Sequence, residues 1–256
     1  MPERRDPFGP SEVEGSPASQ LRLDRDERGN PLSAFFIEDL VPSLLGDETV
    51  DVTARARRFL SDDVVSGVKE IREAFHDGGR VKHVALDAAL RPRIAAGIGA
   101  ALEHARFRRH HHAPYRIEVA PLETLAESAL SRFCAWMSSD DAARFHGWLA
   151  GWPPDGRPLV SKQVQIARAR RGDEFPVHVD TNEEGVACVY NFTRGFESGD
   201  GGTLYFPHRG RHELVLAPRF NSLILFRPRN APHGVSRVTA ARGKTRFTVT
   251  AFFCVT

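Results

Sequence analysis

From Ser161 onward the chain changes from helical spacing to a period of two, cut at short intervals by Gly, Asn and Pro. This alternation constrains the fold more than any other feature, because several short half-buried strands separated by turns specify an antiparallel barrel or jelly roll. Strands are read at 162–171, 176–180, 186–193, 203–207, 212–217, 222–226, 233–238 and 245–254. In the last of these, Arg246, Thr248, Thr250 and Phe252 share one face, and Phe247, Val249, Ala251 and Phe253 share the other. With Arg246 pointing inward, Thr248, Thr250 and Phe252 line the same cavity.

Helices precede this region, which makes the class α+β. Ser61 is a suitable N-cap, Asp62 and Asp63 suit the first turn, and Val64, Val68, Ile71 and Phe75 fall on one helical face before Gly78-Gly79. A second helix is predicted from Arg91-Pro92 to about Ala105, burying Ile94, Ile98 and Leu102, with Pro92 tolerated in the first turn. Two shorter helices are predicted at 130–136 and 140–149, broken at Ser138-Ser139.

The first 32 residues mix Pro, Gly, Ser and both charge signs with few large apolar residues, so they read as a disordered tail. Phe35, Phe36, Ile37, Leu40, Leu44 and Leu45 then mark a short packed segment of unsettled type. Residues 33–256 are expected to form one domain, with a helical part at 55–150 and a β core at 160–256. A net charge of +2 gives no global drive toward nucleic acid or an anionic membrane. There is no run of eighteen apolar residues and no apolar stretch behind the first charges, so a cytoplasmic protein without a membrane span is expected. Cys134, Cys188 and Cys254 are odd in number and lack metal-type spacing, in keeping with a reducing compartment.

The chemistry is carried by His178-Val179-Asp180 and by Pro232-His233-Gly234-Val235. Eleven histidines and the chain's aspartates would produce about 0.7 His-X-Asp tripeptides by chance, so the tripeptide needs its context. Spacing of i, i+2 on a strand puts His178 and Asp180 on one face, and His233, 55 residues on, must come from another strand. Two histidines and one carboxylate leave half of an octahedral iron open for substrate and oxygen. His110-His111-His112 invites a second metal, but adjacent strand residues splay to opposite faces, so a solvated loop is preferred. Arg168-Ala169-Arg170-Arg171 lacks interleaved aromatics and does not point to nucleic acid.

These motifs, in this order, resemble the Fe(II)/2-oxoglutarate-dependent dioxygenases, and within them the prolyl-4-hydroxylase-like group. The similar text also includes Gln163-Val164-Gln165-Ile166-Ala167-Arg168, Gly201-Gly202-Thr203-Leu204-Tyr205-Phe206, Ala217 through Phe226, and Thr245-Arg246-Phe247-Thr248-Val249-Thr250. The resemblance spans roughly residues 55–256 and is strongest from 160 onward. It implies a double-stranded β-helix (cupin-like jelly roll) with helices packed on its major sheet, using Fe(II), 2-oxoglutarate and O2. It also implies His178, Asp180 and His233 as metal ligands and Arg246 as partner of the far carboxylate of 2-oxoglutarate. Leu204, Val235 and Thr248 are then expected beside that co-substrate, and Thr250 and Phe252 beside the primary substrate.

Two positions depart from the family pattern. Arg170 stands where many relatives have a tyrosine, which suggests contact with an anionic group of the substrate. A second family tyrosine corresponds to Asn191, with Tyr190 beside it, and only one of these neighbours can face inward on a regular strand. Asn191 is favoured, because Ala187, Val189 and Asn191 form the inward row unless a bulge intervenes. Asp180 stands where halogenating relatives carry a small residue, so hydroxylation is expected.

The leading function is therefore hydroxylation of an unactivated C–H in a small amino-acid-like or peptide substrate, releasing succinate and CO2. The alternatives are a protein (prolyl) side-chain hydroxylase and a catalytically silent binding barrel. Neither nucleic acid nor membrane is expected as a partner.

Overall fold

The structure is a computed structural model that describes residues 56–110, 116–152, 157–180, 184–197, 199–209 and 211–255. The expected tail at 1–32, the apolar segment at 33–45, and His111 and His112 lie outside the described residues.

Three of the described helices start at a serine cap. Ser61 Oγ accepts from Val64 N at 3.3 Å and opens α1, Asp62–Ser66. The expected single helix is interrupted at Gly67, whose N–H still reaches Asp63 O at 2.9 Å, and α2 follows as Val68–Asp77. Glycine is a poor interior helix residue, and here it divides one apolar stripe between two helices. Helix α3, Pro92–His104, has its proline in the first turn as predicted. Ser128 and Ser131 cap one another at the start of α4, Ala129–Met137, and Ser139 caps α5, Asp140–Leu149.

Among the described residues, eleven strands form two antiparallel sheets. The seven-stranded sheet has the order β1 (His83–Leu86), β9 (Ser222–Phe226), β6 (Gly185–Asn191), β11 (Arg246–Val255), β4 (Leu159–Ala169), β3 (Glu118–Ala120), β2 (Arg108–Arg109). The four-stranded sheet has the order β5 (Phe175–His178), β10 (His233–Val235), β7 (Leu204–His208), β8 (Arg211–Leu216). Among the described residues no strand of one sheet pairs with a strand of the other, so the jelly-roll-like arrangement is an open sandwich and the expected closed barrel is not seen.

Alternation along the major sheet sorts its two faces. Val186, Cys188, Tyr190, Leu223, Leu225, Val249, Ala251 and Phe253 pack under the helices with Phe75, Phe133 and Phe145. Ala187, Val189, Ile224 and Phe226 face the other way, onto Leu204 and Phe206 of the minor sheet. Burying one such aromatic or branched side chain stabilises the fold by roughly 1.5–3 kcal/mol. The result is three layers: helices, major sheet, minor sheet. All three cysteines are buried, and none is in a disulfide.

One polar clip ties the β8–β9 turn to the segment entering α3. Asn221 adopts φ of 58°, a left-handed conformation that Asn tolerates better than most residues. From there its Oδ1 accepts from Leu90 N at 2.9 Å and its Nδ2 donates to Leu90 O at 2.8 Å.

Candidate active site

Three ligand-type side chains converge on the minor sheet. His178 ends β5 and faces His233, which opens β10, as direct partners in the antiparallel register. Asp180 lies two residues past the end of β5, not within a strand as predicted, yet its carboxylate still turns between the two rings. Asp180 Oδ1 is 3.0 Å from His178 Nε2, and Oδ2 is 3.2 Å from His233 Nε2. One candidate atom from each residue lies within 4.8 Å of the others, the single group of this kind found among the described residues. Phe206 and Phe226 flank His233 with ring centroids at 5.6 and 5.0 Å, so the site is apolar on that side.

Protonation makes this grouping informative. His178 Nδ1 lies 2.9 Å from Pro176 O, and His233 Nδ1 lies 2.9 Å from Ala231 O. A carbonyl can only accept, so each Nδ1 carries a proton and, in a neutral ring, each Nε2 presents a lone pair. Two lone pairs then face a carboxylate, an arrangement that a bound cation would stabilise. Backbone anchoring of the far ring nitrogen is also how metal-binding histidines are commonly oriented. Burial alone would raise the Asp180 carboxyl, yet its contacts with His178 and His233 hold it down to about 2, the ionised form a metal needs. Its Oδ2 is buried without a hydrogen bond, and the donor set suits a divalent iron.

Across the gap, on the major sheet, stands Arg246. It is 7 % exposed, its Nε has no hydrogen-bond partner, and no carboxylate pairs with it among the described residues. Burial lowers its guanidinium to about 10, so it is still charged at neutral pH. A buried unpaired cation costs several kcal/mol, which an anionic ligand would offset. Gly202, at φ of 67°, lets the stem pass: a Cβ there would sit 3.0 Å from Arg246 Cδ. Thr248 and Asn191 are opposed on neighbouring strands, and Asn191 Nδ2 donates to Ser222 Oγ at 3.3 Å while its Oδ1 stays unpartnered. Leu204 and Val235 are register partners and pack in the apolar cluster between the sheets. Thr250 opposes Val189, and Phe252 packs with the same cluster, so both face the gap.

Two expected contacts change place. Tyr190 belongs to the helix-side core, where its hydroxyl lies 2.8 Å from His146 Nε2, so it faces away from the gap and Asn191 is the inward member of the pair. Arg170 shares its strand parity with Ile166, and Ile166 packs under the helices. The gap-facing row of β4 is Gln163, Gln165, Ala167 and Ala169, which oppose Phe252, Thr250, Thr248 and Arg246. Arg170 therefore lies on the other row, 55 % exposed, with Nε 3.7 Å from Glu118 Oε2. Gln165 and Ser222 join the gap from positions that strand alternation would have marked, had the phase of each strand been fixed. The second metal considered at His110–His112 falls largely on residues outside those described.

His146 carried no motif in the sequence. It is wholly buried, stacks on Phe253 at 5.1 Å, and its Nδ1 lies 2.7 Å from Ala142 O, so its Nε2 accepts from the Tyr190 hydroxyl. Burial pushes its pKa from 6.5 down to about 4. The unfolded chain thus binds a proton between those values that the folded chain does not. Stability is full above pH 6.5 and falls as pH drops toward 4, by on the order of 3 kcal/mol. Thermal midpoints measured across this window should fall in the native protein, and the slope should flatten in His146→Phe; an equal slope in both would remove His146 as the cause.

Known proteins bear out the class. Residues 164–254 match the model of the 2OG-Fe(II) oxygenase superfamily, a span holding all three triad residues, Asn191 and Arg246. No curated protein matches the chain. Among solved structures, it is similar to an oxidoreductase of the 2OG-Fe(II) oxygenase family from Burkholderia pseudomallei, with TM-score 0.57, 18 % identity, and 73 % of this chain and 91 % of that one covered. A prolyl-4-hydroxylase from Pseudomonas putida aligns with TM-score 0.56 and 16 % identity, covering 73 % of this chain and 99 % of that one. A prolyl hydroxylase from Trichoplax adhaerens, solved with a hypoxia-inducible-factor peptide fragment, aligns with TM-score 0.53 and 13 % identity, covering 84 % and 96 %. At these identities the structures establish a shared fold. Over residues 164–254 the chain is therefore similar to the 2OG-Fe(II) oxygenase superfamily, enzymes that use Fe(II), 2-oxoglutarate and O2. None of its described helices is long and apolar enough to cross a membrane.

Proposed function

We propose that this protein hydroxylates an unactivated C–H bond of an amino-acid-like or peptide substrate, converting 2-oxoglutarate and O2 to succinate and CO2. The observation that carries this reading is the convergence of two imidazole lone pairs and the Asp180 carboxylate, opposite a buried arginine with no counterion among the described residues. His178, Asp180 and His233 hold Fe(II), and Arg246 receives the far carboxylate of 2-oxoglutarate. Bound iron and 2-oxoglutarate supply the oxidising chemistry. The chain's own groups orient and enclose: Asn191 and Thr248 offer polar contacts near Arg246, while Leu204 and Val235 form an apolar wall. Thr250 and Phe252 extend the same row toward the substrate. In this reading the two sheets form the double-stranded β-helix of the class, and residues 33–256 act as one domain.

A protein-directed (prolyl) hydroxylase is the second reading, favoured by the fold shared with a prolyl hydroxylase solved with a peptide. Balance fixes the test: one oxygen atom of O2 enters the product and the other enters succinate. Incubation with Fe(II), 2-oxoglutarate and ¹⁸O₂ in separate metabolite and peptide pools should give a product heavier by one ¹⁸O atom in one of them. Succinate formation with no labelled product in either pool would contradict both hydroxylase readings.

A further inference from the structure

We propose that the arginine-rich end of the two sheets docks an acidic stretch of a polypeptide substrate, about four to five residues from the residue that is oxidised. This deepens the hydroxylase reading by naming a substrate class, although the docking itself needs no turnover.

The near-neutral total conceals an asymmetry. Residues 1–55 hold 6 of the 35 basic and 12 of the 33 acidic residues, so 56–256 carry 29 against 21, a net charge of +8. Much of that excess gathers at one place. The apolar cluster of Ile117, Ala167, Ala169, Val238 and Ala240 joins the sheets at the Arg246 end, and arginines ring it. Arg108 opposes Val119, Arg116 bridges to Glu174, and Arg237 reaches Gly172, whose added Cβ would sit 3.9 Å from Nη2.

The nearby carboxylates are already engaged. Glu118 takes Arg168 at 2.6 Å and Arg170 at 3.7 Å, and Asp173 takes Arg109 at 2.8 Å. Arg106, Arg108, Arg116, Arg171 and Arg237 are exposed and have no carboxylate partner among the described residues. Unpaired guanidiniums spread over several elements suit an extended chain of carboxylates better than one small anion.

Placement ties this surface to the triad. Glu174, at its border, precedes β5, and β5 ends at His178. Four strand residues span roughly 13 Å, which an extended peptide covers in about four residues. Nucleic acid fits less well. Glu118, Asp173 and Glu174 interrupt any phosphate track, and the nearby Phe107 ring is covered by the Arg168 guanidinium at 4.4 Å rather than open for stacking.

The test is fluorescence anisotropy on the full chain at about 0.1 M salt, where surface charges are screened beyond about 10 Å. The probe is a rhodamine-labelled peptide of about twelve residues, half Glu and Asp and half Gly and Ser. It should bind, weaken as salt rises, and lose at least about tenfold in affinity to a variant carrying Arg108→Glu, Arg116→Glu, Arg171→Glu and Arg237→Glu. Substrate-independent 2-oxoglutarate turnover should not change in that variant. If the Glu variant does not fold, the same four positions changed to Gln should still show loss of affinity.

Equal affinity in the variant, equal binding of a Gln-for-Glu peptide, or tighter binding of an oligodeoxynucleotide of matched charge would overturn the proposal. Asp180→Ala keeps the docking surface and lacks a proposed iron ligand, so it should bind the peptide as the native chain does. Failure of the native chain to bind the peptide therefore counts against the docking surface alone, and absence of succinate formation in the native chain counts against the oxygenase reading alone.

Discussion

Asp180→Ala should abolish succinate formation and weaken Fe(II) binding by more than about a hundredfold, since even supporting groups around metal ligands are worth 10–100-fold. The fold should survive, because Asp180 lies past β5 and its close partners are the two imidazoles. His178→Ala should behave alike. His233→Ala should also lose activity, with some loss of stability because His233 packs between Phe206 and Phe226. Anaerobic Fe(II) titration measures the first effect and a succinate assay under O2 the second, and near-normal turnover in any two of the three variants would remove the triad from the chemistry.

Arg246→Ala should raise the Michaelis constant for 2-oxoglutarate while leaving Fe(II) affinity unchanged. Breaking a buried charge pair costs about 2–5 kcal/mol, and the lower bound already corresponds to roughly thirtyfold in affinity. Arg246→Lys should lie between, because a point charge cannot reproduce the two-pronged contact with a carboxylate. The stability of the chain without 2-oxoglutarate gives an independent check. If Arg246 is a cation awaiting an anion, its truncation relieves an uncompensated buried charge, so the thermal midpoint should hold or rise. A structural arginine would instead lower it. Lys244 cannot easily substitute, since its Nζ is held by Asp200 at 2.8 Å.

Local patterning made the β core readable in the sequence. The alternation in β11 sorted Thr248, Thr250 and Phe252 from Val249, Ala251 and Phe253, and Ser61 announced its helix through a side-chain cap. Parity misled where a strand lacked an internal reference. On β6, Ala187 and Val189 supply one and put Asn191 on the inward row, whereas β4 offers none, and its gap-facing row of Gln163, Gln165, Ala167 and Ala169 excludes Arg170. Register against β11 settles that phase, and register is a property of two strands, not one.

Other features escaped because they are not local. Strands β1, β2 and β3 have four, two and three residues, too short for alternation to register, and exist because β9, β3 and β4 respectively offer them an edge. His146 is a single helical residue whose partner lies 44 positions away. The triad was readable as text, but the argument that a bound cation would stabilise it rests on Pro176 O and Ala231 O fixing the tautomers, which only folding brings into place.

The central claim is that the His178, Asp180 and His233 site drives a 2-oxoglutarate-dependent oxidation, and isotope transfer reads this most directly. The full-length protein, loaded with Fe(II) and 2-oxoglutarate under ¹⁸O₂, should release succinate carrying one ¹⁸O atom, with one CO2 for each O2 consumed, and Asp180→Ala should release none. Unlabelled succinate, or equal labelled succinate from Asp180→Ala, would contradict the account.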